Sequence, residues 1–374
     1  MPYPTKENEM SQRRRQSPAP GHTDYGTTHP GLWSSLRGTF LPRTASLVVA
    51  LVLASVACPA RAAKLAAGSA HTCALTKFGG ARCWGADDNG QLGDGGTNSD
   101  KQTPVAVVGL SSGVKTIAAA RKHTCAVTML GGAWCWGDDA YGQLGDGGTN
   151  SDKPTPVAVV GLSSGVKDIA AGSYHTCALT AAGAVKCWGQ DANGQVGDGI
   201  ASNAEKPTPV AVSGLSSGVK AIAVGGEYTC ALTTAGAVKC WGEDTWGQVG
   251  DGIANNNTDK PTPVAVSGLS SGVKAIDAGV EHTCALTTAG AVKCWGSDFN
   301  GQVGDGGSNS VTPTPVAVSG LPLGVKEIAA GGKHTCALTP IGAVRSWGSD
   351  SDGQLGDGGT NTDKPTPVYV VGFP

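Results

Sequence analysis

The sequence predicts an all-β protein, a β-propeller of six four-stranded blades, and two observations carry this prediction. A Trp-Gly pair recurs at steps of 52 to 54 residues, and a GQLGDG or GQVGDG run recurs in the same phase. Each recurrence contains four short segments of strand-like composition separated by glycine-rich turns. A repeat of about 50 residues with four antiparallel strands is typical of a propeller blade. The repeated tryptophans are Trp84, Trp136, Trp188, Trp241, Trp295 and Trp347.

One unit shows the order of strands that we expect in every blade. The first strand is Gly218–Gly225, and the alternating segments Tyr228–Thr233 and Ala237–Gly242 are the second and third. Between these two, Thr234–Gly236 predicts a three-residue hairpin loop with its glycine in the left-handed conformation. Thr208–Leu215 represents the fourth strand, here that of the preceding unit, with proline tolerated at a strand start or edge. The first strand is rich in Ala and Gly, so we expect it to be innermost, where blades crowd around the axis.

The chain is expected to divide into three parts. Residues 1–44 are polar, rich in Pro, Gly, Ser and Arg, and without periodicity, which predicts a disordered N-terminal extension. Residues 45–62 have the pattern of a signal peptide. Residues 63–374 contain six repeats and little else, so we predict that they form one propeller domain.

The signal peptide is predicted from three neighbouring features. The apolar run Ser46–Ala57 is about 12 residues long, the size of a signal core and too short to span a bilayer comfortably, so no membrane span is predicted. Arg43 precedes the run, and Ala60–Ala62 fits a small-x-small cleavage site. The mature chain would then begin at Ala63 and be secreted, or located in the periplasm or cell envelope. Two alternatives stay open: a lipoprotein modified at Cys58, and a disordered tail with an incidental apolar stretch.

Composition limits the classes of function. Hydrophobic residues make up 40% of the chain, enough for a packed core, while charged residues make up 15% and the formal net charge is −2. A general nucleic-acid binder would carry a basic excess, so no nucleic-acid partner is predicted. The 58 glycines and 21 prolines indicate frequent turns.

The repeats place cysteines ten residues apart in pairs. If Thr233 lies opposite Ala237 at the hairpin turn, counting back along both strands places Cys230 opposite Cys240. Five disulfides are therefore geometrically possible, and an exported chain would permit them. The alternative is a set of buried, unpaired thiols that pack as small apolar groups. The predicted pairs are Cys73/Cys83, Cys125/Cys135, Cys177/Cys187, Cys230/Cys240 and Cys284/Cys294, with Ser346 standing where a partner for Cys336 would be.

No motif predicts a cofactor, a metal ion or a catalytic centre. The GQLGDGGT run lacks the Gly-Lys-Ser/Thr of a phosphate-binding loop, and the acidic loops lack the ligand spacing of a dedicated calcium loop. A histidine recurs before the second strand, but Tyr228 takes its place in the fourth unit. Tyrosine is no routine substitute for a metal-binding imidazole, so we predict a structural hydrogen-bonding role for the histidines. They are His71, His123, His175, His282 and His334.

The residues Ile169–Gly199, with HTCALT, CWG and GQVGDG in this order, resemble the repeat of the RCC1 family (regulator of chromosome condensation), in a bacterial-type RCC1-like form. The resemblance covers all six units. It implies a propeller of usually seven blades, which is the alternative to six, and it raises nucleotide exchange on a small GTPase as an activity. The sequence departs from the family in two ways: aspartate stands where the family often has asparagine, and no blade carries the inserted wedge on which exchange depends. The aspartates are Asp87, Asp139, Asp191, Asp244, Asp298 and Asp350.

Candidate binding residues lie where the near-identical repeats differ. The loops between strands 1 and 2 and between strands 3 and 4 are expected at the same end of every blade, since antiparallel strands alternate in direction. Aromatic and basic residues on loops over a rigid scaffold resemble binding hot spots, although drift at exposed loop tips is an alternative. The candidates are Arg121, Lys122, Tyr141, Tyr174, Trp246 and Phe299.

These observations favour a non-enzymatic, exported, monomeric propeller that binds a protein or glycan partner through this loop face. A regulator with guanine-nucleotide exchange activity on a small GTPase is the first alternative, and it is implied by the resemblance. A propeller hydrolase or lyase that uses the central channel is the second.

We expect the native protein to begin near Ala63 after export, because the apolar run and the cleavage site act together as a signal peptide. Mass spectrometry of the N-terminus of protein from its natural source checks this. Intact protein that starts at Met1 and resides in the cytoplasm would contradict it.

Overall fold

A computed structural model of the chain describes residues 65–202, 204–253, 259–308 and 310–373. The predicted extension (1–44), the signal peptide (45–62), Cys58 and Ala63 lie outside these residues. The described residues form six separate four-stranded antiparallel sheets, each sheet with its strands in chain order from one edge to the other. The prediction of an all-β propeller of six blades is confirmed. None of the described segments is a helix long and apolar enough to cross a membrane.

The strands fall into four sets by their position in the blade. The first strands are β1 (Leu65–Ala67), β5 (Val114–Ala119), β9 (Val166–Ala171), β13 (Val219–Val224), β17 (Val273–Ala278) and β21 (Glu327–Ala330). The second strands are β2 (His71–Leu75), β6 (His123–Thr128), β10 (His175–Thr180), β14 (Tyr228–Thr233), β18 (His282–Thr287) and β22 (His334–Leu338). The third strands are β3 (Ala81–Gly85), β7 (Ala133–Gly137), β11 (Val185–Gly189), β15 (Val238–Gly242), β19 (Val292–Ser297) and β23 (Val344–Gly348). The fourth strands are β4 (Lys101–Ala106), β8 (Lys153–Ala158), β12 (Lys206–Ala211), β16 (Lys260–Ala265), β20 (Val311–Ala317) and β24 (Lys364–Tyr369).

The predicted strand boundaries hold for the second strand and fail for the fourth. β14 covers Tyr228–Thr233 as predicted, and Gly236 in the following hairpin has a φ of 82°, which confirms the left-handed loop position. β12, however, is Lys206–Ala211 rather than Thr208–Leu215. The chain turns immediately after it, because Gly214 takes a φ of 69°. The apolar residues Val212 and Leu215 therefore belong to the connection between blades.

The first strands are innermost, as predicted. Small side chains of these strands, such as Ala67, Ala119 and Ala171, line a central cavity of about 640 Å³. Alanine and glycine at these positions allow six backbones to approach one axis, which larger side chains would prevent. The wall of this cavity thus consists largely of backbone and methyl groups.

Neighbouring blades are joined by one buried cluster of hydrogen bonds, which we call the interblade node. The backbone carbonyl of Gln91 in blade 1 accepts hydrogen bonds from Thr124 Oγ1 at 2.8 Å and Trp136 Nε1 at 2.9 Å, both in blade 2. His71 Nε2 lies 2.8 Å from the same Thr124 oxygen. Because the single hydroxyl proton of Thr124 is donated to Gln91, His71 must donate from Nε2. A Cβ at Gly93 would lie 2.6 Å from the Trp136 nitrogen, so only glycine fits there.

The node recurs at the next four junctions between blades. The indole donors and their carbonyl acceptors are Trp188 on Gln143, Trp241 on Gln195, Trp295 on Gln248 and Trp347 on Gln302. The predicted structural role of the histidines is confirmed for four of them, since each ring nitrogen Nε2 meets the threonine of the next blade. These pairs are His71–Thr124, His123–Thr176, His175–Thr229 and His282–Thr335.

The described residues form no node between blade 6 and blade 1, and we call this junction the seam. On the blade 1 side, Trp84 is half-buried and its indole nitrogen has no acceptor among the described residues, whereas Trp136 is fully buried. On the blade 6 side, His334 and Cys336 are half-buried, although their counterparts in blades 2 to 5 are fully buried. The described ring therefore has five complete interblade interfaces and one incomplete one.

The cysteines face each other across the hairpins, and the predicted register is confirmed. Cys230 pairs with Cys240 and Cys284 with Cys294 in the ladder of their strands. The five predicted disulfides are Cys73–Cys83, Cys125–Cys135, Cys177–Cys187, Cys230–Cys240 and Cys284–Cys294. Cys336 is a free thiol opposite Ser346, and burial raises its pKa, which disfavours the nucleophilic thiolate.

Replacing Trp188 by alanine should lower the free energy of unfolding by about 3–5 kcal/mol, because a fully buried indole and its hydrogen bond are lost. Trp84→Ala should cost clearly less, since that ring is only half-buried and its indole nitrogen has no acceptor within the part of the chain that the structure describes. Denaturant unfolding followed by circular dichroism compares the two variants. Equal losses of unfolding free energy in the two variants would contradict the incomplete interface at the seam.

Thiol counting under denaturing, non-reducing conditions should find Cys336 as the one reactive thiol of a chain that starts at Ala63. Each disulfide closes a short loop and should contribute no more than about 3 kcal/mol of stability, so the chain-entropy effect of any single bond is modest. Eleven reactive thiols would instead favour the alternative of buried, unpaired cysteines.

Candidate functional site

The two loop sets that vary between repeats emerge at one end of the propeller, as predicted. The register aligns the start of the second strand, the end of the third and the start of the fourth, as in His71, Gly85 and Lys101. The loops are also joined directly, because the backbone nitrogen of Ala86 donates to the carbonyl of Ala70 at 2.9 Å. We call this end, formed by the loops between strands 1 and 2 and between strands 3 and 4, the variable face.

Three of the six predicted binding residues form one cluster across blades 2 and 3. The rings of Tyr141 and Tyr174 meet edge-on with centroids 5.0 Å apart. The guanidinium of Arg121 lies over the Tyr174 ring, 5.0 Å from its centroid. A cation above an aromatic face adds about 0.5–1 kcal/mol at an exposed site, and it fixes the orientation of both side chains.

Two more predicted residues form a second aromatic pair across blades 4 and 5. The rings of Trp246 and Phe299 lie at 89° to each other with centroids 5.3 Å apart. The Trp246 backbone is held in place, because its nitrogen donates to Gln248 Oε1 at 2.8 Å. Phe299 remains 43% exposed, so this pair offers an apolar edge to solvent. The sixth residue, Lys122, is exposed and joins neither cluster by a hydrogen bond or ion pair within the described structure.

An acidic cavity of about 340 Å³ adjoins the first cluster. It is lined by Arg121 and Tyr174 and by three glutamates, Glu227, Glu243 and Glu281. The sequence did not single out these glutamates as binding residues. A signal was available, because Glu227 and Glu281 lie in the loop between the first and second strands of their blades, which is equivalent to the loop of Arg121 in blade 2. The other repeats carry uncharged residues or lysine there.

The environment of the cavity makes its negative charge costly. Burial, followed by the charge of Glu227, raises the pKa of Glu243 to about 6. Burial also raises the pKa of Glu227, although a hydrogen bond from Asn193 Nδ2 at 2.6 Å and the charge of Arg121 oppose the shift. Three carboxyl groups and one guanidinium line this cavity, so a cation that entered it would be favoured by the carboxylates.

The buried histidines of the interblade nodes are neutral and take no part in charge-based chemistry. Burial lowers the pKa of His123, His175 and His282 to about 3 and that of His71 to about 4. Among the residues that the structure describes, no group of three or more His, Cys, Asp or Glu side chains is arranged to hold a metal ion.

Comparison with known proteins gives consistent results. Residues 34–373 match the family described as RCC1-like domain. The chain is 31% identical over 320 residues to the ultraviolet-B receptor UVR8 of Arabidopsis thaliana, which covers 83% of this chain and 70% of that protein. The structure is similar to yeast RCC1 (Prp20) in its complex with Kap60, with a TM-score of 0.73, 25% identity, and coverage of 82% of this chain and 74% of the other. It is also similar to Prp20p from Saccharomyces cerevisiae, a protein described with its binding to Gsp1p and histones, with a TM-score of 0.70, 26% identity, and coverage of 82% and 76%.

Proposed function

The chain belongs to the RCC1-like domain family, and from this premise we propose that it is a non-catalytic propeller scaffold that binds a protein partner through the variable face. One observation supports the proposal above the others. Repeats that are otherwise nearly identical differ on this face, and the differing residues include two aromatic pairs and an acidic cavity beside one of them. Side chains that only drifted at loop tips would have no reason to assemble across blades.

A protein partner is favoured over a glycan by two considerations. The yeast relative is described in complexes with proteins, namely Kap60, and with binding to Gsp1p and histones. The cavity is also strongly anionic, and an uncharged glycan would leave its buried carboxylates without a counter-charge. A glycan partner remains the alternative outcome of the binding experiment.

The chemistry of the face indicates which part of a protein would bind. A lysine or arginine side chain that entered the cavity would lie among Glu227, Glu243 and Glu281. Burial raises the pKa of Glu227 and of Glu243, so a cation there would offset the cost of their buried charge. The partner's apolar residues would contact the edges of Phe299 and Tyr141, since rigid aromatic side chains lose little entropy on binding. The expected epitope is therefore a basic side chain next to apolar surface.

We propose that this binding takes place outside the cytoplasm. Five disulfides are compatible with an oxidising compartment, and the N-terminal sequence has the pattern of a signal peptide. The partner would then be an extracellular or envelope protein, and the propeller would act as a monomer.

No specific observation favours either alternative function. Nucleotide exchange in the family depends on an inserted wedge, and the described blades contain strands joined by their repeat loops with no such insertion. Hydrolysis or elimination in the central channel would need acid–base groups, but the channel wall is mostly alanine and glycine, with His334 and Cys336 at one side. We therefore retain the binding function.

The double variant Tyr141→Ala/Trp246→Ala should weaken binding of the captured partner by more than about 2 kcal/mol, or roughly 30-fold, because one ring of each aromatic pair is lost. The partner is first captured with the disulfide-bonded propeller, and affinity and melting temperature are then measured together. Phe78→Ala is the matched control, since Phe78 is 74% exposed on a hairpin between the second and third strands, at the opposite end. Unchanged affinity would reject the variable face. Lost affinity with a collapsed melting temperature would show that the aromatics serve the core.

A second variant tests the charge of the epitope. Glu227→Gln/Glu243→Gln keeps the shape of the cavity but removes two negative charges, so binding should weaken and become less sensitive to salt. Tighter binding of this variant would show that the partner presents no cation to the cavity.

A further inference from the structure

Four blades hold a lysine ammonium between two aspartates of the loop that joins the third and fourth strands. In blade 3, Lys206 Nζ lies 2.9 Å from Asp198 Oδ2 and 3.6 Å from Asp191 Oδ2. The same three-membered arrangement is present in blades 1, 2 and 4. In blade 6, Lys364 pairs with Asp357 at 3.6 Å. The first aspartate of each pair is buried and the second lies nearer the surface, so the ammonium neutralises charge inside the loop.

Blade 5 has both aspartates but lacks the lysine. In blade 4, Gly242 pairs with Lys260 at the start of the fourth strand, and in blade 5 the equivalent Gly296 pairs with Thr312. Threonine thus stands at the place of the lysine, while Asp298 and Asp305 keep the two carboxylates. The substitution removes a positive charge from a site that has one in the five other blades.

Among the described residues, the carboxylate of Asp298 has no counter-charge. Asp298 is fully buried, and its Oδ1 accepts a hydrogen bond from the backbone nitrogen of Val303 at 2.9 Å. Its Oδ2 is buried and has no hydrogen-bond partner in the described structure. The buried aspartates of the first four blades share that feature, but each of them has the lysine ammonium 3.6 to 3.8 Å from Oδ2.

The second carboxylate faces the same small space. A Cβ placed on Gly307 would lie 3.2 Å from Asp305 Oδ1 and 4.0 Å from Asp298 Oδ2, so atoms of both side chains border this glycine. Asp305 is only partly buried, which leaves the space accessible to solvent. Burial and the charge of Asp305 raise the pKa of Asp298 to about 6.

We propose that a Ca²⁺ ion occupies this place in blade 5 and replaces the lysine ammonium of the other blades. Two carboxylates match the charge of a divalent cation, and Ca²⁺ accepts oxygen ligands in irregular arrangements. Water can complete the coordination from the solvent side. The acidic loops lack the ligand spacing of a dedicated calcium loop, so the sequence predicts no metal there. The site arises instead because a repeated lysine is missing. It lies in a loop of the variable face, where Asp298 directly precedes Phe299, but it is argued from the loop's charges and not from the proposed partner.

Calcium titration of the purified, disulfide-bonded protein tests the proposal. After removal of divalent ions with a chelator, isothermal titration calorimetry with CaCl₂ should show one site with a dissociation constant of about 0.1–1 mM, the range of weak extracellular calcium modules. The melting temperature should rise with Ca²⁺ and saturate over the same range. An equal ionic strength of NaCl should not reproduce the rise. Absence of a saturable calcium effect would overturn the proposal.

Two variants place the effect in blade 5. Thr312→Lys restores the ammonium of the other blades, so it should abolish calcium binding and raise the melting temperature of the calcium-free protein. Lys260→Thr recreates the same arrangement around Asp244 and Asp251 in blade 4, and it should add a second calcium site. If Thr312→Lys fails to fold, Asp305→Asn is the second variant, and it should lose calcium binding because it removes one of the two carboxylates. Calcium binding that persists unchanged in Thr312→Lys or in Asp305→Asn would show that the ion binds elsewhere.

Discussion

The propeller depends on one interaction, the backbone carbonyl of a loop glutamine that accepts two hydrogen bonds from the next blade. Gln143 illustrates it, because its carbonyl receives the hydroxyl of Thr176 at 2.9 Å and the indole of Trp188 at 2.8 Å. A hydrogen bond within the loop holds it in place, since the backbone nitrogen of Leu144 donates to Asp139 Oδ1 at 3.0 Å. A buried carbonyl that lost these donors would carry the full cost of desolvation. The Asp, Gly, Thr and Trp of the repeat are therefore required together, while the acceptor itself is backbone.

This node also accounts for the uncharged state of the buried histidines and for the one exception among them. Burial lowers the pKa of a node histidine such as His175, so the ring is neutral; the proton lies on Nε2, which donates to the threonine, and Nδ1 carries none. In blade 4 the longer Tyr228 takes over, and its hydroxyl donates to the carbonyl of His282 at 2.5 Å. The one hydroxyl proton of Thr283 is shared between the Tyr228 hydroxyl at 2.9 Å and the Gln248 carbonyl at 3.0 Å. The cluster tolerates the change because the phenol keeps both a donor and an acceptor at the junction.

Because the indole and threonine hydrogen bonds to the glutamine carbonyl repeat at five junctions, the charged and aromatic side chains of the loops are the features that vary. Lysine neutralises the buried aspartate of the loop in four blades, and its absence in blade 5 creates an unbalanced pair. The glutamates of the variable face are likewise unbalanced, with Arg121 as the one cation of the cavity lining. In both places the fold supplies the burial, and loop residues that differ between the repeats leave the negative charge in excess.

The sequence by itself determined the features that repeat or lie close along the chain. The period predicted six blades, and counting back from one hairpin turn predicted that Cys230 faces Cys240, because a strand register is local once its turn is known. It also placed Tyr141, Tyr174, Trp246 and Phe299 on one end. It failed at the limits of the fourth strand, since the turn at Gly214 and the strand before it have similar apolar composition.

Only the tertiary structure decided which of these residues meet and which equivalent residues differ. Trp84 and Trp136 have the same repeat position, yet one is half-buried at the seam and the other fully buried, because burial depends on the presence of a node with the preceding blade. The pairing of Tyr141 with Tyr174, the glutamate-lined cavity and the approach of Asp298 to Asp305 also depend on distances across loops and blades. A one-dimensional pattern carries no such distances, and these contacts give the loops their chemistry.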